Sequence, residues 1–225
     1  MYSNLVSKTD KTVIMIIFKA LVLTLFSTSF VYGQISSKFY SDSKELYLKN
    51  PTYNSCLELE QLALQIWSWN QSLGHKDNLP NLNCEKLIIY NSLRVDSLLP
   101  KHILTDVNSF SKVDGPNCWN LSLKTAKIVP HYRFTHSSEF SFWMNSPLCK
   151  VKLSSLKLGP GDILAVRKDK NQEVHSSIMI TTDMVYSKDG PASFLPYKIE
   201  SFEDMLSLFV KGPDRYFEVY NCESL

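Results

Sequence analysis

Cys118 directly follows Gly115-Pro116-Asn117 and opens a run that reads as helix as far as Val129. In the first turn of a helix the backbone N–H groups lack intrahelical acceptors and the dipole is positive. A thiol there is drawn toward thiolate, and its own N–H faces the place where an oxyanion would form. The same position also suits a small buried Cys that does no more than begin a helix. His175 heads the run Val174-His175-Ser176-Ser177-Ile178-Met179-Ile180, after the Gly159-Pro160-Gly161 turn and the apolar stretch Ile163 to Val166. An imidazole at the head of a strand, beside the amino end of a Cys-bearing helix, can take the thiol proton and later return it to a leaving amine. A lone strand histidine is otherwise a structural or surface group.

The elements that must position these two residues are legible in outline. Pro130 ends the Cys118 helix, and a short helix is predicted for Ser138 to Asn145. Strands are predicted for Asp162 to Arg167, Val174 to Thr181, Met184 to Ser187 and Arg215 to Asn221. A helix capped by Ser201 lies before the last strand, with Phe202, Met205, Leu206 and Phe209 turned inward. Upstream, residues 34 to about 105 read as helical. Ser55-Cys56-Leu57-Glu58 is a capping box, and Leu59, Leu62, Ile66, Trp69 and Leu73 recur at spacings of three and four as far as Gly74. A second helix is predicted from Asn83 to Leu98, bracketed by Pro80 and Pro100. Cys56 and Cys84 then fall in the first turns of two helices, where either a disulfide or two buried thiols would fit. Helices first and an antiparallel sheet afterwards is an α+β order, with a helical region at 34–105 and a core at 106–225.

Asn117-Cys118 opening a helix, Gly161-Asp162-Ile163-Leu164 leading a strand, His175 with Ile178-Met179-Ile180, and a further strand through Met184-Val185-Tyr186-Ser187 together resemble the NlpC-type cell-wall cysteine peptidases of the papain-like clan. The likeness spans roughly residues 111 to 200, and it rests on the order of these parts. It implies a papain-like core with an antiparallel sheet and a Cys-bearing helix, preceded here by the helical extension. Cys118 would be the nucleophile and His175 the general base and acid. The third position falls on Ser187, where the family has His, Asn or Gln, and Asp189 takes that place if the hairpin register slips. Asn117-Cys118-Trp119-Asn120 stands where the family carries Asp-Cys-Ser-Gly.

The resemblance implies a thiol-dependent hydrolase of peptidoglycan stem peptides or similar cell-wall amides, requiring no cofactor. On that reading Cys118 is unpaired, Cys56 is joined to Cys84 and Cys149 to Cys222. The altered surroundings of the cysteine favour a second reading, an inactive papain-like module that binds a wall fragment or a partner protein. A third is an acyltransferase or amidase for a small substrate, since thioester chemistry is shared across the clan.

Composition narrows the alternatives. The chain has 225 residues, is 44% hydrophobic and carries only 7 Gly and 10 Pro, so it is globular. Lys19, the apolar run Ala20 to Phe26, Ser27-Thr28-Ser29 and Val31-Tyr32-Gly33 read as an export signal over residues 1–33, too short in its apolar part to span a bilayer. Cleavage after Gly33 would leave a periplasmic or extracellular protein with no stable membrane insertion, in a compartment that oxidises cysteines. Removing Lys8, Lys11, Lys19 and Asp10 with the signal reduces totals of 24 basic and 22 acidic side chains to 21 of each. That neutral body offers no electrostatic footprint for nucleic acid. Neither His-Glu-x-x-His nor Cys-x-x-Cys occurs, and His131 and His136 are wrongly spaced for a metal. A Gly-x-Ser-x-Gly elbow, a phosphate loop and a dinucleotide fingerprint are likewise absent from the sequence.

Overall fold

Alternation and capping decide the elements. A computed structural model describes residues 38–42, 45–49, 55–75, 88–89, 92–153, 157–168 and 172–223. By its contacts the chain divides into Met1–Ile35 and Ser36–Leu225, and every described residue lies in the second unit. Helix α1, Cys56–Ser72, starts as expected. Ser55 Oγ accepts the Glu58 N–H and Glu58 Oε2 accepts the Ser55 N–H, each at 3.3 Å, and Leu59, Leu62, Ala63, Ile66 and Trp69 are buried along one face. It ends at Gly74, whose φ of 77° lies in the left-handed region that favours glycine.

The expectation of helix throughout 34–105 is corrected. Strands β1 (Lys38–Asp42), β2 (Glu45–Lys49), β3 (Ile88–Ile89) and β4 (Ser92–Arg94) form an antiparallel sheet in the order β1-β2-β4-β3. The predicted helix from Asn83 to Leu98 is therefore replaced over its described part by a hairpin, with Ile88 opposite Leu93 and Ile89 opposite Ser92. The β-branched pair Ile88-Ile89 and an Asn two residues on are hairpin chemistry. Val95 and Leu98, assigned to a helix face, are buried in the turn that follows. The short α2, Lys101–Asp106, comes next.

The second half keeps the predicted helices and four predicted strands in order and adds two strands that were not predicted, at Cys149–Val151 and Lys198–Ser201. It contains α3 (Cys118–Thr125), α4 (Ser137–Met144), β5 (Cys149–Val151), β6 (Ile163–Lys168), β7 (Gln172–Met179), β8 (Met184–Ser187), β9 (Lys198–Ser201), α5 (Phe202–Phe209) and β10 (Arg215–Cys222). The six strands form an antiparallel sheet in the order β5-β10-β6-β7-β8-β9. Helix α3 stops four residues short of Val129, because Lys127 takes a φ of 59°.

Each face of this sheet is covered differently. Ile163, Ala165, Ile178, Ile180, Met184 and Tyr186 face the larger core, shared with Leu62 and Ile66 of α1, Leu121 and Leu123 of α3 and Phe140 of α4. That core also takes in Leu98 and Ile103, so it runs across the expected boundary at residue 105. Leu164, Val166, Met179, Val185 and Val219 face a smaller one, closed by Met205 of α5 with Phe202, Leu206 and Phe209 against it. Trp69 anchors α1 to the loop before β6, where a Cβ on Gly161 would come within 2.4 Å of its ring. A disulfide joins Cys149 to Cys222 across β5 and β10, which are directly paired at those residues. Cys56 is also disulfide-bonded, and its expected partner Cys84 lies outside the described residues. Among the described residues no helix is long and apolar enough to cross a membrane.

Candidate active site around Cys118

The amino end of α3 is fixed by two asparagines. Asn117 caps the helix, its Oδ1 accepting the Asn120 N–H at 3.0 Å while its Nδ2 donates to the Thr135 carbonyl at 2.8 Å. Asn120 accepts the Arg133 N–H at 3.0 Å and donates to the His131 carbonyl and to Thr135 Oγ1 at 3.2 Å each. Asn117 and Asn120 thus tie the 131–135 loop to the start of the Cys helix. His131 and His136 lie at this loop, His136 edge-on to Phe134. Among the described residues there is no group of three or more His, Cys, Asp or Glu able to hold a metal.

Cys118 is free, as expected, and only 6% exposed. Burial pushes its thiol up to about 11, while the N–H groups of Ser176, Trp119 and Cys118 itself act on the sulfur in the opposite direction. Two serines hold the backbone beside it. The Cys118 carbonyl accepts Ser176 Oγ at 3.0 Å and Ser122 Oγ at 3.2 Å, and those hydroxyls are 3.0 Å apart.

The direction of the Ser176 N–H follows from the ladder. Met179 N–H donates to Asp162 on the β6 side and Ile180 N–H to Met184 on the β8 side, so Ser176, of the same parity as Ile180, also aims its N–H toward β8. The β7–β8 register begins at Ile178. The Cys118 sulfur therefore lies near the Ser176 N–H, on the side of β7 that faces β8.

His175 is next in the chain but points elsewhere. Successive strand residues face opposite sides. With Ser176 turned to α3, the His175 ring lies on the α5 side, stacked on Phe209 with centroids 3.6 Å apart and planes within 2°. It is 1% exposed, and its Nε2 has no hydrogen-bond partner. Burial first, and then the Lys198 ammonium, lower its pKa to about 3. No hydrogen bond joins it to Cys118. The structure thus brings the neighbour of His175 to Cys118 but leaves the neutral thiol and the neutral imidazole out of contact.

The two expected third residues are engaged with other groups. Ser187 Oγ donates to Glu200 at 2.5 Å. Asp189 Oδ2 takes the Lys198 ammonium at 2.7 Å, and Lys198 also pairs with Glu200 at 2.8 Å. Asp189 Oδ1 is buried without a partner. Continuing the β7–β8 register beyond Ile178–Tyr186 sets Asp189, and not Ser187, across from His175.

Sequence reasoning passed over Ser176, Phe209 and Lys188. Lys188 is fully buried and donates to the Gly190 and Ala192 carbonyls at 2.7 and 2.8 Å. Strand alternation from Ile178 back to Ser176 could have shown which residue of the His-Ser pair meets α3. A groove of about 1060 Å³ lies away from these groups, between α1 (Gln61, Gln65, Trp69), the Lys157–Gly161 loop and Asn221–Glu223. Comparison of the chain with known protein families, with curated proteins and with solved structures finds no match in any of the three, so the site rests on its own geometry.

Proposed function

We propose that the chain is an exported thiol-dependent amide hydrolase with a papain-like core, acting on peptidoglycan stem peptides or similar cell-wall amides, with Cys118 as nucleophile and His175 as base and acid. One observation carries this reading: Cys118 opens α3 with its carbonyl bound at 3.0 Å by the hydroxyl of Ser176, the residue after His175, and the N–H groups of Ser176 and Trp119 act to favour its thiolate. Backbone donors aimed at a sulfur favour its anion and, after attack, the oxyanion beside it. The signal-like first 33 residues and the Cys149–Cys222 disulfide support export.

Turnover on this reading starts when the imidazole turns from Phe209 and takes the thiol proton. The thiolate attacks the amide carbon, and the tetrahedral oxyanion is held by backbone N–H groups at the head of α3. The imidazolium then protonates the amine, the C–N bond breaks and a thioester remains. Water, deprotonated by the same imidazole, releases the acid and restores the thiol.

The second reading, a module that binds a wall fragment without cleaving it, is favoured by the burial of both side chains and by the groove along α1. Purified cell walls separate the two. The hydrolase releases new amino groups, and Cys118→Ala lowers the release at least a hundredfold while retaining wall binding. Equal release from both proteins, or none from either with binding intact, rejects the enzyme.

A further inference from the structure

The contact made by His175 is specific. Its ring lies face to face with Phe209, the last residue of α5, while its Nε2 has no partner. Turning the ring away from Phe209 therefore breaks no hydrogen bond at Nε2. The residue after it, Ser176, is bound to Cys118, its hydroxyl donating to the Cys118 carbonyl at 3.0 Å and its backbone N–H lying near the sulfur. A ring leaving the α5 side thus has only the width of the strand to cross. Asp189, bound to Lys198 and felt at Cys118, keeps its Oδ1 buried and unpartnered, a carboxylate oxygen able to hold an imidazolium once the ring has moved.

Nothing in β7 itself holds the ring back. The elements around it supply Phe209 from α5, the Lys198 ammonium from β9 and Asp189 beyond β8. Lys198 is already bound to Asp189 and Glu200, so it opposes a charged ring without gripping a neutral one. Phe209 is the group in direct contact. Immediately after it α5 ends, at Val210, and the chain turns at Gly212 with a φ of 95°.

We propose that Phe209 is a positioning residue that latches His175 away from Cys118, so that displacement of the carboxyl end of α5 assembles the thiol–imidazole pair. This rests on the hydrolase reading for its purpose but not for its test. The step is a proton transfer. The Cys118 S–H proton passes to a ring nitrogen of His175, leaving a thiolate among the N–H groups of Ser176 and Trp119 and an imidazolium facing Asp189.

The test compares the whole protein with Phe209→Leu, Phe209→Tyr and the double variant Phe209→Leu/His175→Ala. The readouts are the rate of iodoacetamide labelling mapped to Cys118 at pH 7 and the NMR titration of the His175 ring. Phe209→Leu should raise the labelling rate at least tenfold and move the His175 midpoint up toward its ordinary value of about 6.5. Phe209→Tyr keeps the stacking face and should behave as the wild type. The double variant should return to the wild-type rate.

An unchanged rate and midpoint in folded Phe209→Leu overturns the latch. A faster rate that persists without His175 also overturns it, because the substitution has then only opened the core. If Phe209→Leu fails to fold by circular dichroism, Phe209→Met takes its place with the same expectations. None of these readouts needs a cleaved amide. A working latch with inert wall digests refutes the hydrolase alone, whereas active digests with an unresponsive Phe209→Leu refute the latch alone.

Discussion

The two faces of the six-stranded sheet treat the polar residues of one strand in opposite ways. On the α3 face, Ser176 bonds to the Cys118 carbonyl and to Ser122, within a core that also joins α1 and α4. On the α5 face, Ser177 Oγ and His175 Nε2 are buried without partners, in a core closed by one eight-residue helix. Both faces exclude water and both keep unpartnered polar atoms, Tyr186 Oη and Thr125 Oγ1 on the first, but only the first bonds the polar side chain that β7 itself supplies. Unsatisfied buried polar groups cost stability and are retained where a group has a second place to go. Within β7 the comparison teaches that the first face ties its serine to the Cys118 carbonyl, while the second leaves an imidazole held by packing alone.

Truncating each core should break the symmetry most visibly. Leu121→Ala removes a fully buried side chain from the large core and should cost about 4 kcal/mol, against about 2 kcal/mol for Met205→Ala, since the thin α5 layer can settle inward. Urea denaturation checks both values, and a larger loss for Met205→Ala would reverse the ranking of the two cores.

Acid comes next in size. His102, on α2 beside α3, and His175 both have pKa values lowered to about 3, each chiefly by burial. Both are neutral when folded and protonate in the unfolded chain near 6.5. Stability is therefore complete above about pH 6.5 and falls as the pH drops toward 3. Between pH 6.5 and 5, before most carboxylates titrate, each imidazole should remove about 2 kcal/mol. His175→Phe should delete one share of that slope, measured by urea midpoints across the interval. A slope identical to wild type would show that the His175 ring is solvated.

The smallest effects are the most discriminating. Ser176→Ala leaves the Cys118 carbonyl without its strand partner and should cost about 1–2 kcal/mol. Ser177→Ala removes an oxygen that has no partner and should be neutral or stabilise by up to about 1 kcal/mol. Thermal melts of the two adjacent variants compare the faces within one strand, and equal losses would erase the distinction.

How much was legible depended on whether the signal was local. The capping box at Ser55 and Glu58, the Ser201 cap, whose Oγ accepts the Asp204 N–H at 3.0 Å, and the four predicted strands of the second half are short-range patterns, and the chain follows them. The first half misled because apolar residues spaced at three and four can coexist with alternation. Leu46 and Leu48 alternate with Glu45, Tyr47 and Lys49, and pairing with β1 decides for strand. For the site, the order of Cys118, His175 and Ser187 along the chain could be read directly, but their contacts could not.

The sequence by itself determined that Cys118 heads a helix, that His175 lies on a strand, though in its middle and not at its head, and that the second half is an antiparallel sheet. Asn117, strand alternation and turn residues act within a few residues of where they stand. Only the tertiary structure decided that Ser187 bonds to Glu200, that Asp189 holds Lys198, and that the imidazole rests on Phe209. A strand residue's face depends on which helix covers each side of the sheet, and α3 and α5 come from segments more than seventy residues apart.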